Sequence, residues 1–288
     1  MNIQKINTII EKIESIPTLP QVVTELMQII GNPQSSASDV AKILSRDQAL
    51  TSKILRLANS AYYGFPRKIG TVQHATAILG FNTVKSVALS IAIFDFFKGG
   101  GGDGFNRRNF WIHSLGCAVT AHLIGRYIRY GDPDRGFVAG LLHDVGKVIL
   151  DKYFHDDFIK IIDTAKYKSI SMLDAENEIL GIGHTVIGEK TLEIWNLPKA
   201  LRLAIQYHHM SPLNLSSQTL HRDLIGIVYL SNVLSIQKKI GSGGDDVYPV
   251  LDDRIWEFLN IDPAKQDWLS EQIDREMEKA KDFLEMFN

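Results

Sequence analysis

The chain carries a single cysteine, Cys117, in 288 residues. No intrachain disulfide can form, and a lone thiol in a chain of this size points to a reducing compartment. Net charge is also scarce: 31 basic against 33 acidic side chains leave −2, too little to gather nucleic acid or an acidic membrane. There is no long apolar run. The longest, Val84 to Phe97, contains Lys85 and Asp95 and is too short to span a bilayer. The N-terminus lacks the basic-then-apolar layout of a secretory leader. No stretch reads as a strand of consequence and no internal repeat is present. The expectation is a cytoplasmic protein with neither a membrane nor a DNA partner.

What the sequence does contain is core and helical periodicity. Hydrophobic residues make up 45% and charged residues 22%, as in globular proteins with a sizeable interior. Val22, Val23, Leu26, Ile29 and Ile30 keep helical spacing up to the stop at Gly31-Asn32-Pro33. Ser36 with Asp39 three residues on resembles a capping box. Asp47 is placed to cap a helix whose stripe is Leu50, Ile54, Leu57 and Ala58. Thr71 starts a helix through Leu79-Gly80, and Asn82 is expected to cap the next, which carries Val84, Val87, Ala88 and Ile91. These two helices have the spacing of a DNA-binding helix-turn-helix. The second is nearly all apolar and cannot reach base edges. His74 reads as a surface histidine.

Lys98 and the glycine-rich run to Gly104 break the pattern, with Arg107-Arg108 expected in solvent beyond. A long helix from Phe110 to Tyr130 follows, placing His113, Cys117 and Thr120 on one face and His122 off it, exposed beside Arg126. Helical segments at Phe158–Ala165, Ser171–Ile179, from His184 to Leu197, from Pro198 to His209 and at Leu224–Ile236 come next. Asp174, Glu176 and Glu178 read as a solvated acidic face. Gly241–Asp246 reads as a second flexible loop, and the residues from about Gln266 as an amphipathic lid or packing helix.

Within this frame Ala139-Gly140-Leu141-Leu142-His143-Asp144-Val145-Gly146-Lys147 stands out. Apolar neighbours on both sides predict a buried helix, and an imidazole beside a carboxylate is costly to bury without a partner. A buried ion pair and a divalent metal both answer that need. Five of the nine histidines (His113, His143, His184, His208 and His209) fall in apolar helical contexts, which favours the metal. A binuclear centre needs about this many nitrogen donors plus a bridging carboxylate, here Asp144. Such a centre takes Fe, Mn, Ni or Zn, generates hydroxide and polarises a phosphoryl oxygen. Lys147 could hold a substrate phosphate. Cys117 is expected to be packing, since one thiol among hard donors would be unusual.

His113 and the His143-Asp144-Val145-Gly146-Lys147 run resemble the HD superfamily of metal-dependent phosphohydrolases. His184 and His208-His209 match further ligands of its HD-GYP branch, the cyclic-di-GMP phosphodiesterases. The first half is similar to the HDOD domain, a relative of that superfamily. The matching stretches are Ile16-Pro17-Thr18-Leu19-Pro20, the segment from Leu50 through Asn59-Ser60-Ala61-Tyr62-Tyr63-Gly64, and His74 to Gly80. The likeness runs over roughly residues 8 to 240. It implies an all-α, HD-superfamily-like fold in two packed helical subdomains: an HDOD subdomain at 8–97, a glycine-rich loop at 98–107, an HD-like subdomain with the histidines at 108–240, and a loop with C-terminal helices at 241–288. HDOD domains serve bacterial signalling as regulatory modules, and many have lost their metal ligands.

Three positions depart from the enzyme pattern. Asn232 stands where superfamily enzymes place a final Asp ligand, and offers only weak coordination. Met210-Ser211-Pro212-Leu213 replaces the Gly-Tyr-Pro loop, and Asn109 sits where trinuclear members carry Glu. The expected function is therefore a signalling module that binds metal at a degenerate site without efficient turnover, working through a protein partner. The alternative is a metal-dependent phosphohydrolase or cyclic (di)nucleotide phosphodiesterase, with a cyclic (di)nucleotide as ligand.

Overall fold

The computed structural model describes residues 3–30, 36–97, 104–245, 247 and 249–285. Helix makes up 71% of the chain and no strand occurs among the described residues, so the fold is all-α. The chain forms two compact units: a larger one from Met1–Pro17 with Gly99–Ser270, and a smaller one from Thr18–Lys98 with Glu271–Asn288. The first helix therefore groups with the larger unit and the last with the smaller, a division that the boundaries at 8–97 and 108–240 do not follow. Most of the expected glycine-rich loop, 98–103, lies outside the described residues.

The larger unit opens with α1 (Ile3–Glu14). The smaller unit follows with α2 (Gln21–Ile30), α3 (Ala37–Leu44), α4 (Gln48–Ala58), α5 (Val72–Leu79) and α6 (Phe81–Phe97). Local chemistry sets most of these ends. Ser36 and Asp39 form the expected capping box at α3, the Asp47 side chain accepts from Leu50 N at 2.9 Å, and Thr71 accepts from His74 N at 3.1 Å. Asn82 is not a cap: α6 already begins at Phe81, with Val84 N bonded to Gly80 O. α6 is apolar on almost every side and touches α2, α3, α4 and α5, as befits a helix that forms a core rather than faces one. Asn59 ties the turn after α4, donating to Ile69 O at 2.9 Å and accepting from Ile69 N at 2.7 Å.

The larger unit resumes with α7 (Arg107–Tyr127), α8 (Pro133–Leu142), α9 (Val145–Tyr153), α10 (His155–Lys168), α11 (Met172–Leu180), α12 (His184–Ile194), α13 (Lys199–Tyr207), α14 (Arg222–Gln237) and α15 (Arg254–Phe258). α16 (Gln266–Lys279) crosses the division between units. α17 (Lys281–Leu284) packs Phe283 against Tyr62 at 5.5 Å within the smaller unit, so the end of the chain is a packing element. α7 lies along α8 and α14, and α12 along α9 and α13. Two glycines set those approaches. A Cβ on Gly140 would come within 2.6 Å of Cys117 O, and one on Gly146 would collide with the His184 carbonyl. They let α7 and α12 come close on either side of His143-Asp144.

Two surface expectations fail among the basic residues of this unit. Arg107 is not solvated: its Nε donates to the fully buried Asp151 at 2.6 Å. His122 is only 19% exposed and lies 3.7 Å from Asp134 Oδ1. His74 is exposed, as expected.

Candidate metal centre

The stretch around His143 is not one helix. α8 ends at Leu142, His143 and Asp144 form a turn, and α9 starts at Val145. The reason is directional. Neighbouring residues on a helix point about 100° apart, and the turn at His143-Asp144 helps this adjacent pair to face one site. His208-His209 likewise stands directly after α13.

Three imidazoles are held by acceptors behind them. His143 Nδ1 donates to Gly140 O, His208 Nδ1 to Ile205 O, and His184 Nδ1 to Glu176 Oε2, each at 2.7 Å. In the neutral ring this leaves every Nε2 with an inward lone pair, the arrangement metal-binding histidines adopt. Burial brings His208 down to about 4, so its ring is neutral. Its Nε2 lies 3.5 Å from His184 Nε2 and 3.4 Å from Asp144 Oδ1, and His209 Nε2 lies 3.1 Å from His184 Nε2. Asp144 Oδ1 is buried without a hydrogen-bond partner. With the rings neutral, these lone pairs and the carboxylate oxygen would repel each other, and a proton on His184 or a metal cation relieves the repulsion. Burial opposes that proton, but Glu176 and Asp144 outweigh it and raise the His184 pKa. Asp144, His184, His208 and His209 thus fit a metal ion by their own chemistry; their donor atoms lie within 4.8 Å of one another.

A second group adjoins the first. His113, Cys117 and His143 also gather within 4.8 Å, and His113 Nε2 lies 3.1 Å from Asn232 Oδ1. Asp144 serves both groups, its Oδ1 facing His184 and His208 and its Oδ2 lying 3.4 Å from His143 Nε2. Each oxygen of Asp144 thus faces one of the two groups, and Oδ2 also accepts from Lys147 Nζ at 2.9 Å. Every histidine proposed from the sequence as a ligand thus reaches the cluster, and so does Asn232. His209 alone is half-buried; His113, His143, His184 and His208 are buried. Cys117, expected as packing, places Sγ 3.7 Å from His113 Nε2, 3.9 Å from His143 Nε2 and 3.8 Å from Asn232 Oδ1. Burial opposes its ionisation, but His113 and His143 prevail and bring the thiol down to about 6. His143 rises in turn: burial opposes its charged form, and Cys117 and Asp144 outweigh it.

Lys147 does not reach out to solvent. It is 1% exposed and gives its ammonium to Asp144 Oδ2 at 2.9 Å, Gly243 O at 3.0 Å and Asp245 Oδ2 at 2.9 Å. An ammonium has three donors, so none remains for a phosphate in this arrangement. Burial would discharge it, but the two carboxylates raise its pKa well above the ordinary lysine value. Asp144 is held well below the usual carboxylate range, since Lys147 and His143 outweigh its burial.

Of the flexible loop expected at Gly241–Asp246, Asp246 lies outside the described residues, and Gly241–Asp245 is a strap over this cluster. Asp245 Oδ1 accepts from Met172 N at 2.7 Å and Ser242 N donates to Asn109 O at 3.0 Å. A Cβ on Gly243 would lie 2.9 Å from Asp144 Oδ2 and 3.2 Å from His113 Cδ2, so only glycine lets the backbone rest there. Beside the strap a cavity of about 200 Å³ is lined by His113, Lys239, Ser242 and Asp245 among others. Asn109 contributes its backbone to the strap while its side chain is exposed.

Glu176 corrects the acidic-face expectation. Asp174 and Glu178 are exposed, but Glu176 is fully buried and accepts from both His184 N at 2.6 Å and His184 Nδ1. The signal was available: Glu176 shares the helical stripe of Met172, Ala175 and Leu180, all buried. Asp245 left no such signal, lying far along the chain from the lysine it holds.

A family model for the HDOD domain matches residues 16–211. The chain belongs to the HDOD family. A crystal structure of an HDOD domain protein of unknown function from Geobacter sulfurreducens is 25% identical, with a TM-score of 0.79 over 98% of this chain and 95% of that one. A protein proposed to be a phosphohydrolase, from Shewanella amazonensis SB2B, is 21% identical, with a TM-score of 0.75 over 97% of this chain and 98% of that one. That second likeness is one of fold. An uncharacterized protein of Treponema pallidum (strain Nichols) is 25% identical over 208 residues, which are 71% of this chain and 40% of that protein. The HD-like helical fold expected for the histidine-bearing part is thus the fold of HDOD proteins. Among the described residues no helix is long and apolar enough to cross a membrane.

Proposed function

We propose that this chain is a regulatory module of a signalling system, and that its HD-type centre holds divalent metal in a closed state without efficient turnover. One observation carries the reading. The residue that would greet a phosphate, Lys147, is saturated by Asp144, Gly243 and Asp245, and the strap lies over the cluster. The adjoining cavity of about 200 Å³ is smaller than the ~300–1,000 Å³ of ordinary ligand pockets, which supports a closed state. Asn232 supports the same conclusion from the chemistry, because a carbonyl dipole replaces a carboxylate next to His113.

His113, His143, Asp144, Asn232, His184, His208 and His209 would hold the metal, a first-row ion such as Fe, Mn, Ni or Zn, with Asp144 shared. A bound metal supplies Lewis acidity and a coordinated water. The protein's part is to orient the ligands and, through the strap, to keep phosphate esters away. Output then passes to a protein partner inside the cell, where the buried thiol stays reduced. The phosphohydrolase reading keeps one observation in its favour, the full set of inward-facing histidines.

The test begins with elemental analysis of protein purified without added metal. Hydrolysis of cyclic-di-GMP, cyclic nucleotides and nucleoside triphosphates is then measured with Mn, Fe, Ni and Mg. Bound metal without turnover is the expected result. Robust metal-dependent hydrolysis that disappears in His143→Ala would overturn the regulatory reading. Asn232→Asp restores the missing carboxylate and should raise metal affinity about tenfold; hydrolysis gained in that variant would mark the site as an enzyme short of one ligand.

A further inference from the structure

We propose that Cys117 is a metal ligand, and that its thiolate with His113, His143 and Asn232 forms a soft pocket selective for zinc-like ions beside the harder pocket of Asp144, His184, His208 and His209. The proposal rests on the metal-centre reading above and goes beyond it by dividing the centre into two pockets of unlike chemistry.

The placement of the sulfur argues first. A cysteine kept for its volume faces carbon. Cys117 Sγ faces two imidazole nitrogens, the Asn232 carbonyl oxygen and, at 3.9 Å, Ser231 O. His143 turns its Nε2 to that side, because its Nδ1 donates to Gly140 O. Bonds of about 2.3 Å to sulfur and about 2.1 Å to nitrogen in a tetrahedral zinc site set sulfur and nitrogen roughly 3.6 Å apart. The separations found are 3.7 and 3.9 Å.

The fold argues second. His113 and Cys117 stand four residues apart on α7 and therefore share a face. Gly140 brings the α8 backbone against the carbonyl of Cys117 itself, which fixes the height of the sulfur beside His143. Cys117 is wholly buried, so disulfide exchange and alkylation at the surface are not available to it.

Charge argues third. With asparagine at 232, His113, His143 and Asn232 contribute no negative charge, and Asp144 must be shared. A thiolate returns one charge to the depleted side. It also changes the preference, since sulfur favours zinc-like ions over magnesium or manganese, whereas the three nitrogens and one carboxylate of the other pocket accept a wider set. On binding, the thiol proton leaves to solvent and the sulfur lone pair forms the bond to the metal.

Cobalt(II) titrated into the metal-free full chain under reducing conditions tests this without reference to activity. The expected result is a thiolate-to-cobalt charge-transfer band in the near ultraviolet. Zinc should displace it and magnesium should not. Cys117→Ser, which keeps the size, should lose the band and weaken binding of one equivalent at least about tenfold, while the other equivalent binds as before. Cobalt bound without the band, or a band that persists in Cys117→Ser, overturns the proposal and leaves the metal centre standing. No cobalt bound by the unmodified chain overturns both.

Discussion

The two units differ in what they bury. Both hold hydroxyls bonded one turn back, as Thr191 and Ser231 show for the larger unit, but among the described residues only the larger unit buries charged side chains and imidazoles. In the smaller unit Ser90 donates to Ser86 O at 2.7 Å and Thr76 to Val72 O at 2.8 Å, each within its own helix. In the larger unit the buried charged groups and imidazoles reach across elements. Lys147 of α9 bonds to the strap, Glu176 of α11 holds His184 of α12, and His113 of α7 meets Asn232 of α14. A hydroxyl satisfied one turn back can sit in any buried helix. An imidazole, ammonium or carboxylate buried with partners from four elements requires the whole assembly. Such an expense of desolvation persists where something other than stability is served.

The comparison breaks most visibly at Lys147. Lys147→Met leaves Asp144 and Asp245 buried together without their cation, and should cost about 3–5 kcal/mol in urea unfolding with chelator present. Metal should recover part of that loss. A cost under about 1 kcal/mol would show that the ammonium does not hold the strap.

Glu176→Gln probes the same network one residue behind a ligand. Metal affinity measured by chelator competition should fall about 10- to 100-fold, as for other outer partners of metal-bound histidine. Unchanged affinity would remove His184 from the ligand set.

Asp245→Asn loosens the strap while sparing every ligand. The expected outcome is faster exchange of bound metal and faster hydrogen exchange at Met172 N, which bonds Asp245 Oδ1. Identical exchange in both proteins would mean that the strap does not gate the centre.

Ser90→Ala should do almost nothing, within about 0.5 kcal/mol of the parent, because donor loss and the lifted back-bond nearly cancel. A loss above about 2 kcal/mol would show that the Ser90 hydroxyl also serves a contact beyond its own helix.

The sequence by itself determined what neighbours decide. The capping box at Ser36 and Asp39, the caps Asp47 and Thr71 and the buried stripe of α4 rest on groups a turn apart, so their chemistry is complete within a few residues. The histidines could be picked out for the same reason, each standing in an apolar context that predicts burial. Tertiary structure alone decided what needs direction or a distant partner. Periodicity ran a helix through His143-Asp144, whereas the fold ends α8 at Leu142 and starts α9 at Val145, turning both side chains toward one centre. The stripe of α11 could have marked Glu176 as buried, but not that it holds His184. Nothing near Gly241–Asp245 announces a strap, because its partners, Lys147, Met172 and Asn109, come from three other segments. Nor could composition show that Cys117 faces nitrogen and oxygen rather than carbon. That follows from how closely Gly140 lets α8 approach α7, a distance set by packing between helices and invisible along either one.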